Sequence, residues 1–243
     1  MVIAMRMGQY APMFPRTALV TGSASGIGAA LVDLLRGEGA EVQDLDLAGG
    51  FDVSDPNAWE AVGPVELACL NAGVLTGEND MTRLTIDAYR RILGANVDGV
   101  VFGVRRLATV MERGSSIVAT ASLAGLVSAP GDPIYTLTKH AVIGFVRSVA
   151  PQLAERGIRI NAVAPGFVET PMVDPKPFVD AGFPLLQPGA VAEAAIAAGR
   201  SSETGQAWVV QPGREPVQFS FPRVPGPRDA SGASVGAPPR FFS

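Results

Sequence analysis

The chain has 243 residues, with 19 Lys plus Arg against 23 Asp plus Glu and a formal net charge of −4, a balance that argues against a surface built to hold nucleic acid. Hydrophobic residues make up 47% and charged residues 17%, which excludes a wholly disordered chain. The single cysteine, Cys69, excludes an intramolecular disulfide, and the single histidine, His140, excludes a zinc site built from several His and Cys ligands and disfavours a Ser-His-Asp hydrolase.

Residues 1–15 carry Arg6, Gly8 and Gln9 and no continuous apolar run, so they read as a leader on a cytoplasmic protein rather than a secretory signal. A strand is predicted at Thr17–Val20 and a helix over Ile27–Arg36, where apolar residues recur at three- and four-residue spacing. A second strand follows at Glu41–Leu45 and a further short one near Phe51. The span from Asp55 to Gly63 has room for about two helical turns at ~3.6 residues each. Val65–Leu70 is the next strand and Ile86–Met111 the next helix. Then come strand Ser116–Ala121, helix Ile134–Glu155 and strand Arg159–Ala164. The uncharged stretch Gly114–Gly131 holds Ser115, Ser116, Thr120, Ser122, Ser128 and Pro130, too polar to cross lipid, so no membrane contact is expected. Pro171–Pro188 lacks periodicity and reads as a loop or broken helix over a pocket. Helix Ala190–Ala198 and strand Ala207–Val210 complete the alternation, which predicts an α/β fold with a parallel sheet. Past Pro222 the composition turns to Pro, Gly, Ser and Ala, which bury too little apolar surface to order themselves. The expected division is therefore a leader at 1–15, a catalytic domain at 16–221 and a tail at 222–243.

Directly after the first strand stands Thr21-Gly22-Ser23-Ala24-Ser25-Gly26-Ile27-Gly28. Gly22 suits a sharp turn off the strand, Gly26 removes a side chain where backbone must approach a pyrophosphate, and Gly28 lets a helix pack against the sheet. The backbone around Ser25 and Ile27 opens that helix, whose free N–H groups and positive dipole end stabilise an anion. Asp46 ends the second strand at the distance expected of a carboxylate that accepts hydrogen bonds from an adenosine ribose and repels a 2′-phosphate. No Lys or Arg lies in Ser23–Ser25, so both features favour NAD over NADP. Asp52 and Val53, further along, are candidates to border the adenine.

With these motifs the sequence resembles the classical short-chain dehydrogenase/reductase family over approximately Thr17 to Pro212. Carrying the resemblance, in the family's order, are TGSASGIG, Asn71-Ala72-Gly73, Asn96-Val97-Asp98-Gly99, Ser122, Tyr135 through Lys139, and Asn161 through Thr170 with its Pro165-Gly166. The resemblance implies a Rossmann-like doubly wound parallel sheet with helices on both faces. It implies that Ser122 stabilises the substrate oxygen, that Lys139 also holds the nicotinamide ribose, and that Asn96 supports the lysine through a water. By the same resemblance Asn71, Ala72 and Gly73 border the cofactor, and Pro165, Gly166, Val168 and Thr170 line the nicotinamide. Asn161 is expected to stabilise the sheet, and Cys69 and His140 to be bystanders. The family also implies a homotetramer or homodimer, with the helices containing Asn96 and Tyr135 packed across one contact.

Four residues apart on a helix, Tyr135 and Lys139 share a face. A free phenol with a pKa near ~10 is phenolate in only about one molecule in a thousand at pH 7, and a neighbouring ammonium is expected to lower that pKa and make Tyr135 a general base for alcohol oxidation and acid for ketone reduction. The expected activity is hydride transfer between NAD and a secondary alcohol or ketone. Met172, Val173, Phe178, Val179, Phe183, Leu185 and Leu186 suggest a hydrophobic small-molecule substrate. Two other readings use the same motifs: an NADP-dependent carbonyl or oxoacyl reductase, and a nucleotide sensor without turnover.

Overall fold

Strands that alternate between two apolar faces need cover on both sides, and this chain supplies it with helices. The computed structural model describes residues 15–223 and 225–235, so the leader expected at 1–15 lies outside the described residues except for Pro15. In β1 (Thr17–Thr21) Leu19 packs into one apolar layer while Ala18 and Val20 pack into the other. The same alternation divides Ala68 and Leu70 from Leu67 and Cys69 in β3 (Leu67–Leu70), and Ile117 and Ala119 from Val118 in β4 (Ser116–Thr120). One layer is closed by α3 (Gly99–Val110) and α4 (Pro133–Glu155), through Val104, Leu107, Val142, Val146 and Leu153. The opposite layer is closed by α1 (Gly26–Gly37) and α6 (Pro188–Arg200), through Leu31, Leu35, Ala192, Ala195 and Ile196.

The sheet has seven strands in the order β2-β1-β3-β4-β5-β6-β7, with β2 at Glu41–Leu45, β5 at Arg159–Pro165, β6 at Ala207–Val210 and β7 at Val217–Gln218. All pairs are parallel except β6 with β7. From β1 the chain moves outward to β2 and then returns across β1 to β3, so the connections diverge between β1 and β3 and leave a crevice beyond their carboxyl ends.

Three expectations are corrected. There is no strand near Phe51. After β2 the backbone turns at Leu47–Gly49 and passes through Gly50 at φ +86°, and Phe51 packs edge-on to Trp59 with ring centroids 5.2 Å apart. The Asp55–Gly63 span holds a single 3-10 turn at Ala58–Ala61 in place of two helical turns. Its Trp59 fills the layer instead: the buried indole donates to the Val53 carbonyl at 3.0 Å. The helix expected over Ile86–Met111 is α2 (Ile86–Leu93) continuing through a π-helical turn at Gly94–Asp98 into α3.

Beyond β6 the chain turns back to form β7, an element without a periodic signal because only two residues pair. Phe219 and Phe221 follow it and stack edge-to-face at 4.9 Å, with the Arg147 guanidinium 3.7 Å from the Phe221 ring centroid. Past them, residues 227–235 form an exposed turn closed by Arg228, Asp229 and Ser231 and add nothing to either apolar layer. The α5 helix (Lys176–Asp180) is one short turn inside the Pro171–Pro188 segment, as a broken helix would be.

Candidate active site

The glycine turn sits at the β1 end of the crevice, and its three glycines meet different constraints. Gly22 has φ +65°, and a Cβ there would lie 2.8 Å from the Ala72 Cα; at Gly28 a Cβ would lie 1.9 Å from the Gly22 carbonyl oxygen. The start of α1 is thereby pressed directly onto the strand end. Gly26, at φ +54°, faces Thr170, whose methyl would stand 3.0 Å from an added Cβ. Ser25 occupies the helix N-cap, but its side chain caps nothing and the first turn carries no acid. Among the described residues, no side chain accepts from the first-turn N–H groups of α1.

Asp46 stands across from this turn. One carboxylate oxygen accepts from the Ala24 N–H at 3.1 Å and the other from Ala48 N–H at 2.9 Å, so the acid that ends β2 is tied to the glycine loop itself. Asp44, the neighbouring acid, instead pairs with Arg36 at 3.1 Å on the surface. The open helix N-terminus, the close approach that Gly26 allows and a carboxylate beside the loop fit a dinucleotide with its pyrophosphate on α1 and its ribose at Asp46.

Asn71 works on the protein rather than the crevice. Its amide donates to the Thr21 and Gly22 carbonyls at 3.2 and 3.4 Å, and its carbonyl oxygen accepts from the Thr120 hydroxyl at 3.0 Å. The Thr21 hydroxyl accepts from both the Asn71 and Ala72 N–H groups. Together they pin the ends of β1, β3 and β4. Asp52 turns one carboxylate oxygen onto the N–H and hydroxyl of Ser54, and Val53 is buried against Gly99. Asn161 donates to the Ala198 and Glu203 carbonyls beneath the sheet, the stabilising role expected of it.

The other wall of the crevice is built from buried polar side chains. Lys139, only 3% exposed, donates from Nζ to the Thr120 carbonyl at 2.8 Å, and its ammonium lies 5.4 Å from the Tyr135 ring centroid. Burial disfavours the charged form and brings its pKa down to about 8. Ser122 caps the turn Leu123–Gly125, accepting from Ala124 N–H at 3.1 Å, and is hydrogen-bonded to the Tyr135 side chain.

The phenol itself departs from expectation. Its pKa lies above the usual value because burial disfavours the phenolate and the Asp132 charge adds to that; the Ser122 hydrogen bond opposes both. The expected lowering by Lys139 does not govern the site. The ammonium stands over the ring, 5.4 Å from its centroid, and desolvation of the phenol dominates.

Asn96 lies in the π-helical turn, where one extra residue re-aims a side chain inward. It is fully buried, accepts from Val74 N–H at 2.8 Å, and donates to the Val74 carbonyl and the Thr138 hydroxyl, both at 3.0 Å. Its amide therefore holds the loop after β3 to α4. Gly73, in that loop, packs closely on the same groups: a Cβ would sit 3.2 Å from Asn96 Oδ1 and 3.4 Å from Lys139 Nζ.

Over the crevice, Val168 is buried and bridges to Leu186, and Gly166 donates to the Val210 carbonyl at 3.0 Å while its Cα abuts Gln211. Pro165 ends β5, and the Thr170 hydroxyl points back toward the Val168 carbonyl at 3.5 Å. Beyond them Phe167, Phe178 and Phe183 cluster with centroids 4.5 to 6.0 Å apart, and Met172, Val179 and Phe183 stay exposed. Leu186 belongs to the core beneath the lid and not to its outer face.

Sequence reasoning passed over Thr21, Thr120, Gly125 and Asp132. An added Cβ at Gly125 would lie 2.5 Å from the Lys139 carbonyl, so only glycine lets this turn touch α4. Asp132 caps α4 ahead of Pro133, and an acid followed by proline at the start of an apolar-periodic stretch is a helix-start signal legible in the sequence.

Residues 51–203 match the family model described as enoyl-(acyl carrier protein) reductase. The chain is 31% identical over 188 residues to cyclohexanol dehydrogenase of Acinetobacter sp. (strain SE19), covering 65% of this chain and 75% of that one. It is 36% identical over 177 residues to acetoacetyl-CoA reductase of Synechocystis sp. (strain ATCC 27184 / PCC 6803 / Kazusa), covering 65% and 73%. Its fold is similar to that of a short chain dehydrogenase from Burkholderia cenocepacia J2315 in complex with NADP, with TM-score 0.73, 25% identity, and 82% and 98% of the two chains covered. The chain belongs to the classical short-chain dehydrogenase/reductase family and is an oxidoreductase that transfers hydride between a nicotinamide cofactor and an alcohol or ketone.

Proposed function

We propose that this oxidoreductase uses NAD to interconvert hydrophobic, ring-sized secondary alcohols and their ketones, with Tyr135 as proton carrier. The observation that carries the reading is the meeting of Ser122, at the carboxyl end of β4, with Tyr135 and Lys139 on the first turns of α4. The dinucleotide, when bound, supplies the redox chemistry; Gly22, Ser25, Gly26, Ile27, Gly28 and Asp46 hold it, with the backbone of Asn71, Ala72, Gly73, Asp52 and Val53 beside it and Pro165, Gly166, Val168 and Thr170 over it. In ketone reduction the Tyr135 hydroxyl gives its proton to the carbonyl oxygen, and Ser122 donates a hydrogen bond to the same oxygen as negative charge develops there. In alcohol oxidation the proton travels the other way. Lys139 sits under the ring and favours the phenolate once formed, and Asn96 fixes the neighbouring loop.

The link between Asp46 and the glycine loop supports NAD, as does the absence of Lys and Arg in Ser23–Ser25. The exposed lid residues Met172, Val179 and Phe183 and the cyclohexanol dehydrogenase relative support an apolar ring as substrate. The NADP complex of the Burkholderia relative favours the second reading, an NADP-dependent carbonyl or oxoacyl reductase. Residues 16–221 form the catalytic unit of this reading, which places the enzyme in the cytoplasm; none of the described helices is long and apolar enough to cross a membrane. An apolar groove between α3 and α4, lined by Val101, Val104, Ala108, Phe145, Val149 and Leu153, supports a homodimer or homotetramer.

Absorbance at ~340 nm, the readout of nicotinamide reduction, tests the substrate and cofactor together. With cyclohexanol, a polyol and an oxoacyl thioester offered in turn, kcat/KM is expected to favour cyclohexanol and NAD over NADP, and Asp46→Ala to erase the cofactor preference. Preference for the polyol, or for NADP in the unaltered enzyme, overturns the corresponding half of the reading, and a monomer on sedimentation overturns the assembly.

A further inference from the structure

The loop that follows β3 is held at successive residues, Val74 to Gly77, by three side chains. Asn96 takes both backbone groups of Val74, and Arg91 of α2 donates to the Leu75 carbonyl at 2.8 Å. Thr76 and Gly77 donate their N–H groups to one carboxylate oxygen of Asp132, at 2.8 and 3.1 Å. The other oxygen of Asp132 accepts from Tyr135 N–H at 2.9 Å, as the N-cap of α4. One carboxylate therefore ties two segments more than fifty residues apart in sequence, with Tyr135 beside the joint.

A helix cap needs only one acceptor, and Ser, Thr or Asn serves as well as Asp. A second oxygen that accepts from two more backbone N–H groups is what a carboxylate offers and an amide does not, since the other terminal atom of Asn is a donor. A capping acid here also works against the phenol, because its charge raises the cost of forming the phenolate at Tyr135. The cap alone gives no reason to tolerate that charge; the loop does. All three of these hydrogen bonds lie on the α4 side of the crevice, and none reaches the glycine turn or Asp46.

We propose that Asp132 is a positioning residue that locks the Val74–Gly77 loop onto the first turn of α4, so that the two walls flanking Tyr135 form one frame for the alcohol or ketone. This inference rests on the reading of Tyr135 as proton carrier, and its test is divided so that the two can fail separately.

Asp132→Asn keeps the cap on Tyr135 N–H and turns an N–H donor toward Thr76 and Gly77. Amide hydrogen exchange followed by NMR is expected to run at least ~10-fold faster at Thr76 and Gly77 in this variant, with Val74, held by Asn96, unchanged. With cyclohexanol as the probe, KM is expected to rise about tenfold while kcat stays within about threefold and the dissociation constant of NAD does not move. Asp132→Ala should add a loss of thermal stability, because it also removes the cap. Equal exchange at Thr76 and Gly77 in the two proteins overturns the lock. Faster exchange with an unchanged KM, or with a matching loss of NAD affinity, overturns its role in framing the substrate. If the unaltered enzyme oxidises no alcohol yet shows the exchange contrast, the lock stands and the proposed activity fails.

Discussion

The two walls of the crevice are made in opposite ways. On the β1 side the site consists of what is missing: three glycines, an uncapped helix start and backbone N–H groups, with Asp46 as the one side chain whose charge counts. On the α4 side it consists of side chains packed away from water, among them Lys139 at 3% exposure, Asn96 and Thr138 at 0%, each with a hydrogen-bond partner. An anion recognised by backbone needs room and direction, and glycine provides both. A proton carrier needs a tuned environment, which only buried polar groups create, at a desolvation cost that the Lys139 pKa of about 8 makes visible. The first wall should therefore fail when atoms are added, and the second when functional atoms are removed.

The sharpest break is expected at Tyr135→Phe, which deletes one oxygen and nothing else. Turnover should fall by at least ~10³-fold, with dinucleotide affinity and melting temperature nearly unchanged. Retained turnover in steady-state assays would show that another group carries the proton. Next in size, Gly28→Ala adds one methyl where the Gly22 carbonyl oxygen is 1.9 Å away, so α1 must retreat from the strand end. Weaker NAD binding by roughly 100-fold, together with a stability loss of a few kcal/mol, is the expected result by titration and thermal melting. If the Gly28→Ala variant bound NAD normally, close approach of the helix would not be what makes the anion site.

The smallest effect sharpens the contrast by its sign. Lys139→Met should raise the melting temperature at pH 7 by roughly 5 °C, since burying an ammonium opposes folding. Linkage gives the pH signature. The folded pKa of about 8 lies below the ordinary 10.5, so between these values the unfolded chain binds more protons and wild-type stability climbs with pH. The variant should lack that climb between pH 8 and 10. Identical pH slopes in denaturant titrations of the two proteins would mean that Lys139 is not the buried cation described here.

Legibility followed the same division. The glycine turn of Gly22, Gly26 and Gly28, with Asp46 at the end of β2, was readable because it depends on local backbone and on spacing along a strand–turn–helix unit. Tyr135 and Lys139 were readable as a pair because four residues on a helix make one face. The direction of the Tyr135 pKa was not, since desolvation depends on what surrounds the ring from all sides. The π-helical turn that aims Asn96, and the reduction of the Asp55–Gly63 span to one turn around Trp59, were hidden for the same reason: both answer to packing across the layer and not to periodicity.

By itself, then, the order of residues determined the alternating α/β plan, the glycine turn and which side chains could do chemistry, because each of these is set by neighbours within a few positions or by a repeat along one element. Only the tertiary structure decided that Thr120 presents its carbonyl to Lys139, that Asn71 pins three strand ends, and that Asp132 joins α4 to a loop more than fifty residues upstream. Those contacts link segments far apart in the chain, and a hydrogen bond across such a distance leaves no periodic trace in either segment.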